Sequence, residues 1–207
     1  MYSNLPNLVL AFHGCDEETY KKVLYNHESL LPSINSYDWL GNGIYFWENS
    51  FSRAQEWAES YCERDHRKHP DKEKKKPAVI GAVIALGHCL NLTDYGSTSI
   101  LKNGYDILSY ELFLQDKELP VNKNVGKNND LLLRELDCAV IQRIHRYNEE
   151  MQKKSYDSVR GVFVEGQPIY PESGIREKSH VQLCIVNPNC IKGYFKPLLP
   201  NSKWDIV

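Results

Sequence analysis

Few residues in this 207-residue chain have the type and spacing to do chemistry together. The densest group is Leu40-Gly41-Asn42-Gly43-Ile44-Tyr45-Phe46-Trp47, with Phe12-His13-Gly14 upstream. Glycines flanking one residue let a backbone take positive φ and approach a ligand closely. The β-branched and aromatic run that follows favours a short strand. Alternation along that strand puts Tyr45 and Trp47 on one face and sends Phe46 the other way, into a core. Such a pocket offers a flat ring ligand an aromatic face and a close backbone. His13-Gly14 ends the apolar run Leu8–Phe12, which reads as a buried strand.

Taken together, His13-Gly14, then Gly41-x-Gly43-x-Tyr45-Phe46, then a helix carrying Ala54, resemble the poly(ADP-ribose) polymerase and diphtheria-toxin class of ADP-ribosyltransferases. The resemblance covers residues 12–60 best and 179–195 less closely. It implies an α+β domain whose core is two packed antiparallel sheets, with surrounding helices and a helical insertion around 97–152. It also implies a use for each motif residue. His13 would bind ribose at the nicotinamide end of NAD, and Gly14 would offer its backbone to the carboxamide. Gly43 would let the chain approach closely, and Tyr45 would stack on the nicotinamide. A second aromatic comes from the following helix. Trp57 and Tyr61, on one helical face with Arg53, are its candidates.

That class completes its site with a glutamate on a late strand. Here the matching run is Gln182-Leu183-Cys184-Ile185-Val186-Asn187, followed by Ile191 and Tyr194, so Gln182 stands where the glutamate is expected. Cleaving the nicotinamide–ribose bond builds positive charge on the ribose, as in glycoside chemistry. A carboxylate about 4 Å away, at an effective dielectric of about 20, is worth roughly 4 kcal/mol, which is roughly a thousandfold in rate. Glutamine keeps a hydrogen bond to a ribose hydroxyl but forfeits most of that charge. Glu165 or Glu177, in the loop before this strand, could supply a carboxylate instead. His180, two residues before Gln182, sits where the resemblance places a residue that orients the acceptor. Arg160 reads as a solvent-facing strand residue, with Glu165 or an NAD phosphate as alternative partners.

These residues need a scaffold, and composition allows one. A single domain of this length buries roughly 70% of its unfolded surface. The net charge of −2 gives no overall field favouring nucleic acid or acidic membrane. No apolar run approaches the roughly 20 residues that span a bilayer. Met1-Tyr2-Ser3-Asn4 has neither a basic start nor a signal-like segment, so the expectation is a cytoplasmic protein with no membrane partner. The six cysteines lack Cys-x-x-Cys spacing and read as buried thiols. Cys62, His66 and His69 lack a second ligand pair nearby, so no metal site is expected.

Along the chain, the spacing predicts a helix over 16–31 stopped by Pro32, and a loop over 32–40 exposing Tyr37 and Trp39. A helix over 51–64 is capped by Asn49-Ser50, and a polar, solvated segment follows at 64–76. Strands follow at 78–86 and 89–92, then helices at 97–118 and 129–152 separated by the Asn/Lys/Gly-rich stretch 122–130. Strands at 159–164, 181–186 and 191–195 end the series. The function expected from the resemblance is mono-ADP-ribosyl transfer from NAD to a nucleic acid or protein. The setting by analogy is a bacterial toxin or phage-defence effector, with an antitoxin or inhibitor protein as a candidate partner. An NAD glycohydrolase and a non-catalytic NAD- or nucleic-acid-binding module are the alternatives. Tyr45 argues against a 2′-phosphotransferase, which favours basic residues there.

Overall fold

A computed structural model describes residues 8–124, 130–198 and 203. Met1–Asn4 and the middle of the 122–130 stretch lie outside the described residues. The elements in chain order are β1 (Val9–Asp16), α1 (Glu17–Leu24), β2 (Ile44–Glu48), α2 (Phe51–Lys68), β3 (Pro77–Ile84) and β4 (Cys89–Asn91). They continue with α3 (Ser97–Leu114), α4 (Glu135–Glu150), β5 (Ser158–Phe163), β6 (His180–Ile185) and β7 (Ile191–Phe195). The fold is mixed α+β. Its strands form one sheet in the order β4-β5-β6-β2-β1-β3-β7, antiparallel except between β4 and β5.

This corrects the expectation of two packed sheets. The two halves are joined edge to edge by β1 and β2, whose pairing is confined to Ala11–Glu48 and Phe12–Trp47. The longest ladder lies beside it: β1 and β3 pair over eight positions, from Val9–Ile84 to Asp16–Pro77. The sheet is thus narrowest at its centre.

Side-chain alternation assigns the two faces. Ile44, Phe46, Leu183, Ile185, Ala11 and Ile80 meet in one apolar cluster with Val23 of α1 and Leu30. Phe46 is fully buried there, a burial worth roughly 1.5–3 kcal/mol. Tyr45 and Trp47 face the opposite side, as alternation predicts. On that side α2 covers Trp47, Phe12 and Val79, while α3 and α4 cover Val159, Phe163 and Cys184. Helices α3 and α4 are tied to each other by Arg143, whose Nε and Nη2 donate to Glu111 at 2.8 and 2.6 Å.

Helix ends depart from the sequence expectations for local reasons. Helix α1 starts where expected, with Asp16 accepting from the Thr19 amide at 2.8 Å. It stops at Leu24, well before Pro32, because no apolar face continues beyond it: Tyr25 and Leu31 are exposed and His27 takes φ 57°. Helix α2 runs on to Lys68, through residues read as loop, while Ala54, Ala58 and Cys62 hold it to the sheet. Trp39 is half-buried rather than exposed, its indole donating to Leu132 O at 2.9 Å.

Close contact between β1 and α2 requires glycine at position 14. A Cβ there would lie 2.2 Å from the Ala54 carbonyl oxygen, a backbone atom that cannot swing aside. Gly14→Ala is therefore expected to lower stability by about 1–3 kcal/mol. Chemical denaturation of the variant beside wild type measures it.

Candidate functional site

The centre of the site is the place where β1 and β2 separate. In an antiparallel ladder, alternate residues point both their N–H and C=O at the same neighbour. Leu10 O accepts from Asn49 N at 3.0 Å, so Leu10, Phe12 and Gly14 face β2. Continuing the register from Phe12–Trp47 would bring Gly14 to Tyr45, but no such pair forms. Instead the Tyr45 carbonyl meets His13 Nδ1 at 2.8 Å. The His13 ring packs edge-on to Phe46, with ring centres 5.7 Å apart. An imidazole nitrogen facing a carbonyl must carry the hydrogen. Burial pushes the His13 pKa below 6.5, against the pull of the Tyr45 carbonyl, so the ring is neutral with Nδ1 protonated. The gap this leaves has the Gly14 N–H and C=O turned toward it.

Tyr45 is fixed at the other side of that gap. Its hydroxyl donates to Gly41 O at 2.6 Å and accepts from Leu40 N at 2.8 Å. Gly41 holds φ 81°, the left-handed region that glycine tolerates. Burial drives the phenol pKa well above its ordinary value of 10. The phenol therefore stays protonated, and its two hydrogen bonds hold the ring in place. Gly43 is where the Gly-x-Gly turn meets β6: a Cβ there would lie 2.5 Å from Cys184 Sγ.

The two candidate second aromatics divide. Trp57 packs on Trp47, ring centres 5.9 Å apart, and stacks nearly parallel on Tyr61 at 5.3 Å. Tyr61 is tied to Lys75, whose Nζ donates to its hydroxyl at 3.3 Å and which also pairs with Asp16 at 3.2 Å. Trp57 thus reaches β2 through Trp47, and Tyr61 belongs to the Lys75 contact. Arg160 is likewise committed elsewhere: it grips Glu48 at 2.6 and 3.0 Å, so it is neither solvent-facing nor paired with Glu165.

Gln182 lies across from Trp47 on one side and Gly161 on the other, on the face that carries Tyr45. The loop carboxylate Glu165 reaches the same face. It is 6% exposed, with Oε2 at 3.0 Å from Arg53 Nη2 and 3.4 Å from His180 Nδ1. Burial raises the Glu165 pKa above 4.5 and outweighs the opposing pull of Arg53. Glu177 stays in the loop, its N–H donating to Gln167 O. His180 is buried, not partly exposed. Its Nδ1 lies 2.7 Å from Lys178 O, and its ring sits among Trp39, Trp47 and Phe163.

Sequence reasoning underrated Trp47 and Arg53. The signal was present, because Trp47 shares a strand face with Tyr45, and Arg53 shares a helix face with Trp57. What was hidden is that Trp47 Nε1, Arg53 Nε and His180 Nε2 are buried without a hydrogen-bond partner among the described residues. Leaving one such atom unpaired costs about 1–3 kcal/mol.

Burial holds the His180 pKa at about 4, down from 6.5, against the Lys178 carbonyl, which raises it. Unfolded chains take up this proton as pH falls below 6.5, whereas the native ring does not until about pH 4. The contribution to stability is therefore whole above pH 6.5 and lost as pH falls through that window. Melting temperature should fall across it, and less steeply in His180→Gln. Equal slopes in scans of the two proteins would contradict this environment for His180.

No protein-family model and no solved structure matches this chain. It is 28% identical over 195 residues to an uncharacterized protein of Methanocaldococcus jannaschii, spanning 87% of this chain and 83% of that protein.

Proposed function

We propose that this chain is an NAD-using ADP-ribosyltransferase that moves ADP-ribose to a macromolecular acceptor, a nucleic acid or a protein. The observation that carries this reading is the interrupted ladder at Gly14 and Tyr45. A carboxamide needs one acceptor for its N–H and one donor for its C=O. Gly14 turns a C=O and an N–H toward the same gap, and the adjacent Tyr45 ring is held rigid. Those are the requirements of nicotinamide, the leaving group of NAD, which enters here as substrate.

The rest of the face supports the bond-breaking step. As the bond from ribose to nicotinamide breaks, its electron pair goes to the nicotinamide nitrogen and positive charge grows on the ribose. Gln182 offers a hydrogen bond to a ribose hydroxyl. Glu165 offers a buried carboxylate whose Oε2 contacts both Arg53 and His180. Arg53 offsets part of that charge, so Glu165 contributes less than the roughly 4 kcal/mol of an isolated carboxylate. That compensation is also what favours the second reading, a module that binds NAD and turns it over slowly or not at all.

Incubation with NAD, following nicotinamide by chromatography, tests the proposal. Wild type should release nicotinamide. Removing a ring that stacks on a flat heterocycle costs about 1–3 kcal/mol. Tyr45→Ala should therefore lose roughly ten- to a hundredfold in kcat/KM. Glu165→Gln should lose roughly ten- to a hundredfold in kcat, and Gln182→Glu should raise hydrolysis. Unchanged turnover in Tyr45→Ala would sink the assignment. Tight NAD binding without nicotinamide release would favour the binding module.

A further inference from the structure

Residues 63–76 carry seven Lys or Arg against four Asp or Glu, a local charge of +3 in a chain of net charge −2. Helix α2 extends through the first of them to Lys68. The chain then turns back after His69, where Lys72 N donates to His69 O at 3.1 Å. Lys75 fastens this return to the helix. Its Nζ donates to the Tyr61 hydroxyl at 3.3 Å and pairs with Asp16 at 3.2 Å and Asp65 at 3.7 Å. Lys74 pairs with Glu63. Between helix and return lies an open groove of about 490 Å³, lined in part by Arg64, Arg67 and Lys74.

The ion pairs that close this clasp leave a surplus of cations outside it. Arg64, Arg67, Lys68, Lys72 and Lys76 are exposed and make no ion pair among the described residues. The exposed acids of the same surface without an ion pair are Glu59, Asp71 and Glu73, and Glu59 accepts from Gln55. The helix dipole favours cations in the last turn of α2, which accounts for Arg67 and Lys68. It accounts neither for Arg64, a turn earlier, nor for Lys72 and Lys76, beyond the helix.

Flat rings stand beside these charges. Positions 57, 61, 64 and 68 share one face of α2. Trp57 and Tyr61, both half-buried, stack there with their planes 3° apart, and the Arg64 guanidinium carbon lies 6.0 Å from the Trp57 ring centre. A cation-lined groove bordered by aromatic rings matches a single-stranded nucleic acid, which sets phosphates against the cations and bases against the rings. A duplex keeps its bases inside, and a run of acidic side chains has no ring at each charge. The groove also leads toward the site. Trp57 packs on Trp47, which lies across from Gln182. Arg64 stands about 16 Å along α2 from Arg53, the residue that holds Glu165.

We propose that α2 and its return segment form a docking groove for single-stranded nucleic acid, and that this groove brings in the acceptor of the transfer. The acceptor role rests on the ADP-ribosyltransferase reading; the docking does not.

The test measures fluorescence anisotropy of a labelled oligothymidylate of about 12 nucleotides, a length within the span of such grooves, over a salt titration without NAD. Wild type should bind it, and more weakly as salt rises. Arg64→Gln/Arg67→Gln keeps two exposed helix formers in place. It should bind about tenfold more weakly, and its slope of log K against log salt should be smaller by about 1.4, as for two lost phosphate contacts. Lys21→Gln/Lys22→Gln removes the same charge from α1, on the other face of the sheet, and should bind like wild type. No binding by wild type, equal losses in the two double variants, or equal affinity for a duplex of the same length or for polyglutamate overturns the groove. Nicotinamide release without oligonucleotide should be the same in wild type and Arg64→Gln/Arg67→Gln. Binding by a wild type that releases no nicotinamide overturns the acceptor role and the transferase reading while leaving the docking standing.

Discussion

The Tyr45 carbonyl takes its hydrogen from the His13 imidazole, not from the strand beside it. Much of the structure answers to that substitution. Were Gly14 to donate to Tyr45, β1 and β2 would zip together and the sheet would be uninterrupted at its centre. With His13 inserted, the two strands share only Ala11–Glu48 and Phe12–Trp47, and a backbone N–H and C=O are turned toward a gap. The arrangement needs a side chain with a donor at the right height and a rigid partner strand. Burial keeps His13 neutral, and Phe46 packs against its ring. Tyr45 is anchored through its hydroxyl to the Leu40–Gly41 turn. Gly14 satisfies both sides at once, since α2 also needs its lack of a side chain.

Electrostatics organise the neighbouring face. Lys178, Glu56, Arg53 and Glu165 alternate in sign along a chain of contacts that ends on the neutral His180. A buried carboxylate alone would be protonated or expelled. Arg53 lets Glu165 remain under the sheet, at the cost of softening its field. The site therefore trades the full charge of a free glutamate for a compensated pair plus Gln182.

Much of the scaffold could be read from the sequence. The alternation of Ile44–Trp47 assigned both faces of β2 correctly, because three aromatics in a row leave few other arrangements. Helices α3 and α4 and the late strands followed from apolar periodicity. Helix lengths were harder. The end of α1 is set by where burial stops, and the extension of α2 by its packing on the sheet, neither of which shows in local composition. The joining of the sheet halves at two residue pairs is a register property that no motif encodes. Within the site, His13, Tyr45 and Gln182 were visible as motif positions. Glu165 was visible only as one loop carboxylate among others, until Arg53, 112 positions away in the chain, gave it a place. Trp47 was visible as an aromatic, but that its indole N–H finds no partner among the described residues is a tertiary fact.

The most direct measurement is amide-resolved NMR of Gly14 and Phe12, in hydrogen exchange and on titration with nicotinamide. Phe12 lies in the closed part of the ladder, so its amide should be protected with or without ligand. The Gly14 amide should exchange faster than that of Phe12 in the free protein, then shift downfield and slow its exchange as nicotinamide binds. A Gly14 amide as protected as Phe12 before any ligand is added would mean the ladder is closed, and one unmoved by saturating nicotinamide would mean the gap does not hold it.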